Sequence, residues 1–214
     1  IRHGVASVGK VVKYTVILPI ILLIFLIIRA VTLPGALEGL SYYLVPDWSK
    51  LLDINVWAAA YGQIFFSLSI LFSIMVAYGS YLGKDAEVTK DAMIIGLADA
   101  GISFLSGFAA FGTLGYLAQI SGTPIAEMKH TGIMLAFVTY PEALGQMPGG
   151  RFGVILFSLI FFIMLFTLAI DSAFSIIEAI ITAFVDKFGW NKERTTFWFC
   201  VVGFCASLIF ATRA

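Results

Sequence analysis

Five stretches of the chain are apolar for long enough to cross a bilayer as helix, which takes about 20 residues. They cover residues 11–28, 56–82, 92–118, 152–185 and 195–212, and charged residues gather between them. None alternates polar and apolar positions in short segments, so a β-barrel is excluded and an all-α membrane protein is expected. The fourth run is about 34 residues, about 50 Å as a helix, so it must tilt or project beyond the hydrocarbon. Two connections have patterns of their own. Residues 31–55 hold Pro34, Pro46 and Trp48 and read as an ordered cap with an aromatic anchor at the interface. Residues 121–150 contain the apolar stretch 132–140, too short to span, and read as a lid hairpin packed on the outer mouth. A surface loop carrying a sticky helix is the plainer alternative.

Composition narrows the class. Of 214 residues, 60% are hydrophobic, 12% charged and 15% aromatic, with mean hydropathy +0.99. A soluble domain carries about a quarter charged residues, and a disordered chain would lack the aromatics. Net charge is zero, which leaves no basic face for nucleic acid. Cys200 and Cys205 share one apolar run and form neither a disulfide framework nor a zinc pattern. A multi-pass protein of the cell membrane is expected, with the lipid bilayer as its first partner. Arg2, Lys10 and Lys13, then Lys84 and Lys90, then Lys187, Lys192 and Arg194 fall on one side. Arg29, Lys50, Lys129, Arg151 and Arg213 fall on the other. The richer set is expected to be cytoplasmic, which puts the N-terminal end inside. No signal-peptide pattern opens the chain. A start at Ile1 and an end within an apolar run at Ala214 lead to the expectation of a segment from a longer protein.

Acids inside such runs need a reason. Asp99, Asp171 and Glu178 lie within them, where a carboxylate costs at least about 2.5–3.5 kcal/mol unless it meets a cation, a partner or water. Asp171 and Glu178 are two helical turns apart and share a face with Leu168, Ser172 and Ser175. Asp99 and Ser103, four apart, share another. Either these faces bind a cation, or the acids pair with basic side chains and the serines bond back to carbonyls one turn earlier. No Lys or Arg lies deep in any run, which favours a cation site for Asp99 and Asp171. Glu178, nearer the cytoplasmic end, fits solvation equally well.

The second run mixes Phe, Ser and Leu over residues 63–73 with no helical stripe. Serines there weaken helix preference, and a broken helix at membrane depth is tolerated only around a cavity or ligand. The pattern alone also suits a continuous helix. HExxH, GxSxG and a phosphate-binding glycine loop are missing, and His3 and His130 lie outside the runs. The remaining enzyme reading is an intramembrane aspartyl protease using Asp99 and Asp171.

Four stretches, VTLPGA at 31–36, VWAAAYGQIFFSLS at 56–69, GIMLAFVTYPEA at 132–143 and FIMLFTLAIDS at 162–172, resemble the neurotransmitter:sodium symporter family in order and spacing. These sodium-coupled transporters of amino acids and amines serve as a general example of broken helices at a midplane site. The resemblance implies part of an inverted-repeat, leucine-transporter-like symporter fold. The piece would run from the family's fifth helix to the start of its ninth, leaving the N-terminal helices as missing partners. It also places the helix break at 66–70 and equates the family's outer lid with 121–150.

Site roles follow from the same resemblance. Ser67 and Asp99 would hold a first sodium ion. The Leu168 carbonyl, Asp171 and Ser172 would hold a second. Phe66, Ser67, Ser69, Phe72, Ser172 and Ile176 would line the substrate pocket, and their character favours an amino acid with an apolar side chain. Gln63, Asp99 and Ser103 match the anion-site positions, with a carboxylate at 99 where chloride-dependent members carry asparagine. That fixed charge would repel chloride and replace it electrostatically, so chloride is not expected to be required; the alternative is an Asp99 protonated for part of the cycle. The resemblance implies sodium as the coupling ion and no further cofactor. The expected function is sodium-coupled symport by a longer transporter of which this is part, not an enzymatic one. The alternative is a truncated, non-transporting or regulatory membrane chain.

Overall fold

Helix formation follows the apolar runs, and the polar connections supply the caps. The computed structural model describes residues 5–70, 72–127 and 134–212, with side chains from Thr15 onward. Arg2, His3, Lys129, His130, Gly132, Ile133 and Arg213 lie outside the described residues, as do the side chains of Lys10 and Lys13. Eight α-helices and no strand occur among the described residues. They are α1 (Val5–Val31), α2 (Ala36–Leu44), α3 (Ile54–Ser67), α4 (Ile74–Gly79), α5 (Val88–Ser121), α6 (Tyr140–Gln146), α7 (Gly150–Phe188) and α8 (Lys192–Ala211). By length and composition three described helices, α5, α7 and α8, can cross a membrane, and a fourth crossing is possible where the chain bends by 112° between α1 and the 36–52 segment.

Local chemistry sets the boundaries. The Asp53 carboxylate accepts the Asn55 amide at 2.9 Å and opens α3. The Asn191 side chain accepts the amides of Glu193 and Arg194 at 3.0 and 3.3 Å and opens α8. Each satisfies donors that a helix start leaves without an intrahelical acceptor. The 31–55 connection folds into α2 and a 3₁₀ turn (Trp48–Leu52). The described part of 121–150 holds a 3₁₀ turn (Ile125–Glu127), a π-helical turn (Leu135–Thr139) and α6.

A scaffold of α1, α2, α5 and α7 holds the core, with α6 seated on it. Leu23, Leu26, Leu33, Ala36, Ala109, Tyr116, Leu144, Met147 and Phe161 form its buried cluster. Tyr140 stacks on Phe161 with ring centres 4.8 Å apart. The Tyr116 hydroxyl donates to the Gln146 carbonyl, and the Arg29 guanidinium donates to the Pro148 carbonyl while lying 5.4 Å from the centre of the Phe157 ring. The turn between α6 and α7 is therefore pinned from both α5 and α1.

Close backbone approach joins α2 to α5. A Cβ on Gly39 would fall 1.8 Å from the Phe111 carbonyl oxygen, and one on Gly115 would fall 2.4 Å from that of Gly35. Lipid tails are as apolar as a leucine side chain, so helices in a bilayer gain mainly from such close packing. Tyr43 completes the contact by stacking on Phe111 at 4.7 Å. Gly39→Ala is expected to force α2 off α5 and to destabilise the fold by about 2 kcal/mol or more. Thermal unfolding of the purified protein in detergent checks this; an unchanged midpoint would mean the two backbones have slack.

Candidate functional site

The second apolar run is interrupted. α3 ends at Ser67, and regular helix resumes at Ile74. The intervening bonds are irregular: the Ser69 amide reaches back three residues to Phe66 at 3.0 Å, and the Ile70 amide reaches back five to Phe65 at 3.1 Å. Ser69 and Ser73 adopt positive φ, 57° and 55°. That left-handed conformation costs an ordinary L-residue roughly 1–2 kcal/mol. Two such residues around one gap mark a built break. Among the described residues, no backbone amide bonds to the carbonyls of Ser67, Leu68 or Ser69. The expected gap was 66–70; among the described residues regular helix is absent over 68–70 and 72–73, because Ser73 turns left-handed before α4 starts.

Opposite this gap runs the middle of α7. Leu168, Asp171 and Ser172 lie within one turn of it. Between the two elements is a cavity of about 490 Å³, lined by Phe66, Ser67, Ser69, Phe72, Ile74, Asp171, Ser172, Ser175 and Ile176. All six residues expected to face substrate, Phe66, Ser67, Ser69, Phe72, Ser172 and Ile176, are in its wall. Phe66 and Phe72 meet edge to face across the break, 5.8 Å between centres. The Leu168 side chain is not in the wall and is 45% exposed; the expectation there concerned its carbonyl.

Each acid has a hydroxyl partner. Ser67 Oγ donates to Asp99 Oδ1 at 2.6 Å, joining the end of α3 to α5. Gln63 and Ser103 lie one helical turn from that contact, on α3 and α5, and are exposed. Among the described residues neither side chain makes a hydrogen bond. Thr15 Oγ1 donates to Asp171 Oδ1 at 2.7 Å, joining α1 to α7. Asp99 and Asp171 thus answer to different helices. The available donors to a cation are carboxylates, hydroxyls and carbonyls, an all-oxygen set suited to a hard ion.

Glu178 is neither solvated nor part of the cavity wall. It is 7% exposed, receives a hydrogen bond from the Tyr81 hydroxyl at 2.9 Å and pairs with Lys192 Nζ at 2.5 Å. Tyr81 also bonds Thr182 at 2.6 Å, and Tyr78 donates to Ser175 at 3.1 Å. These contacts hold α4 and the start of α8 against α7. The sequence offered no cation deep in a run, yet Lys192 reaches Glu178 from the first position of the next helix. Thr15, Ile74, Tyr78 and Lys192 were not singled out for this region by sequence. Ser175, by contrast, falls on the polar face that its spacing from Asp171 predicts.

Comparison with known proteins places this geometry. Residues 1–214 match the model of the sodium:neurotransmitter symporter family. An uncharacterized sodium-dependent transporter of Methanocaldococcus jannaschii is 42% identical over 214 residues, covering 100% of this chain and 42% of the relative. The human sodium- and chloride-dependent taurine transporter is 40% identical over 219 residues, covering 100% of this chain and 35% of the relative. The chain therefore spans about two fifths of the length of the curated relatives it matches. Among solved structures, MhsT in complex with L-phenylalanine aligns with a TM-score of 0.74 at 33% identity, over 89% of this chain and 40% of MhsT. The architecture is thus part of a leucine-transporter-like symporter fold. On sequence over its whole length and on fold together, the chain belongs to the sodium:neurotransmitter symporter family.

Proposed function

We propose that this chain is the part of a sodium-coupled secondary symporter that supplies one wall of its substrate and cation sites. The observation that carries the reading is the cavity of about 490 Å³ shared by the helix break and the Asp171 turn of α7. Its volume is in the range of small-molecule sites, and its wall combines two phenylalanines with four serines and one carboxylate. Such a surface suits a small amino acid with an apolar side chain, whose charged ends are met by hydroxyls and carbonyls at the break. The phenylalanine in the MhsT complex is consistent with that class.

In this reading Ser67 and Asp99 hold one sodium ion, and the Leu168 carbonyl, Asp171 and Ser172 hold another. Helices outside this chain complete both ion sites and the substrate pocket. Sodium binding completes the pocket, substrate lets the 121–150 segment close over the outer mouth, and release occurs at the cytoplasmic face. The N-terminal end of the chain then lies in the cytoplasm of a cell-membrane protein. α3 buries no residue of its own in this structure, which fits a helix packed by neighbours that the chain does not include.

The test is reconstitution of the full-length transporter in liposomes under an imposed inward sodium gradient. Apolar amino acids are expected to accumulate with sodium outside and not with potassium. Uptake indifferent to the cation would overturn the coupling, and substrate binding without accumulation would favour a non-transporting membrane protein.

A further inference from the structure

We propose that Thr15 is a positioning residue for Asp171, a hydroxyl supplied by α1 that sets how tightly the second cation site holds sodium. This rests on the reading of Asp171 as a sodium ligand. Thr15 is 156 residues from Asp171 in the chain, yet its Oγ1 stands 2.7 Å from Asp171 Oδ1 with the hydroxyl donating. The contact is half-buried, and α1 packs directly on α7.

The carboxylate is bounded on two sides. One side borders the cavity, with Ser172 and Ser67 in the same wall. The other meets Thr15. A carboxylate has about four lone-pair sites, so one hydroxyl on Oδ1 leaves room for a cation on the cavity side. The bond fixes the Asp171 side-chain torsions before any ion arrives. Ion binding then does not have to order the ligand, which is how outer partners of metal ligands raise affinity. Their removal generally costs about 10–100-fold in metal affinity. The sodium affinity of a site on α7 thereby comes to depend on the position of α1. No residue of α1 is otherwise assigned to the site.

A plainer role for Thr15 is to satisfy a carboxylate in an apolar surrounding. The two roles differ in what they move. Loss of a purely structural hydrogen bond lowers the amount of folded transporter and its maximal rate. Loss of a positioning bond shifts the sodium concentration at half-maximal uptake.

The experiment compares wild type, Thr15→Val, Thr15→Ser and Asp171→Asn in the full-length transporter, reconstituted and titrated with external sodium at saturating substrate. Thr15→Val keeps the shape and removes the hydroxyl. It is expected to raise half-saturating sodium about tenfold while leaving the rate at saturating sodium near wild type. Thr15→Ser, which keeps the hydroxyl, is expected to restore the wild-type value. Should Thr15→Val yield too little protein for uptake, sodium-dependent thermal stabilisation in detergent reads the same shift. An unchanged sodium midpoint in Thr15→Val, or a fall in maximal rate alone, overturns the proposal and leaves the role of Asp171 standing. Wild-type sodium dependence in Asp171→Asn overturns that role and the proposal together.

Discussion

Asp171→Asn is expected to abolish sodium-driven uptake while the transporter still folds. The substitution keeps size and keeps an oxygen that can accept the Thr15 hydroxyl, so the contact at 2.7 Å between α1 and α7 survives. What it removes is the negative charge, in a half-buried position on the wall of the 490 Å³ cavity. A cation facing a neutral amide there has lost its counter-charge where water is scarce. Losing one partner of a buried ion pair costs about 3–5 kcal/mol, and about 3 kcal/mol is already a hundredfold in affinity. At physiological sodium the second site would stay empty. The measurement is substrate uptake against sodium concentration, with folded yield followed by size-exclusion chromatography. A folded Asp171→Asn transporter with an unshifted sodium curve would remove Asp171 from the cation site.

The second large effect concerns anions. Uptake is expected to be equal in chloride and gluconate media, and Asp99→Asn is expected to make it chloride-dependent or to stop it. Two sodium ions and a zwitterionic substrate would bring net positive charge into a site poorly screened by water, which is costly without compensation. A fixed carboxylate or a bound chloride can supply that compensation. Both together would repel: unit charges about 4 Å apart interact by about 4 kcal/mol at an effective dielectric constant of about 20. Asp99 is placed to act in this way because its Oδ1 accepts the hydroxyl of Ser67, 2.6 Å away at the edge of the break. The expectation departs from the mammalian taurine relatives, whose names include chloride. Wild-type uptake that fails in gluconate would rule out the built-in counter-charge.

How far the sequence could be read depended on the range of each interaction. Asp171, Ser172 and Ser175 were legible because helical spacing alone puts them on one side of α7. The break was legible in outline because serines at 67, 69 and 73 interrupt an apolar run. Its far edge was not, since α4 and the turn after it are held by Tyr78 and Tyr81 against residues of α7 that are distant in the chain. Thr15 meeting Asp171 across 156 residues leaves no local trace in either segment. Glu178 was ambiguous for the same reason: its partner Lys192 is 14 residues away, beyond the end of its own helix. The assignment of six positions to the substrate pocket came from family resemblance; of these, periodicity alone marked only Ser172.

The embrace of α2 and α5 has a bearing on the order in which the molecule comes together. These helices meet backbone to backbone at Gly39 and Gly115, yet the whole of α3, the break and α4 lies between them in the chain. When α2 docks on α5, residues 45–87 are closed off as a loop. Closing a loop of that length costs little more than closing one half as long, because the entropy grows only logarithmically. The scaffold can therefore assemble first, with the future cavity wall tethered at both ends but not yet committed. Assembly of the cavity wall is thereby separated from assembly of the frame: residues 45–87 can take their place after α2 has docked on α5, and the Tyr78 and Tyr81 hydroxyls then fasten the far end of the segment to α7.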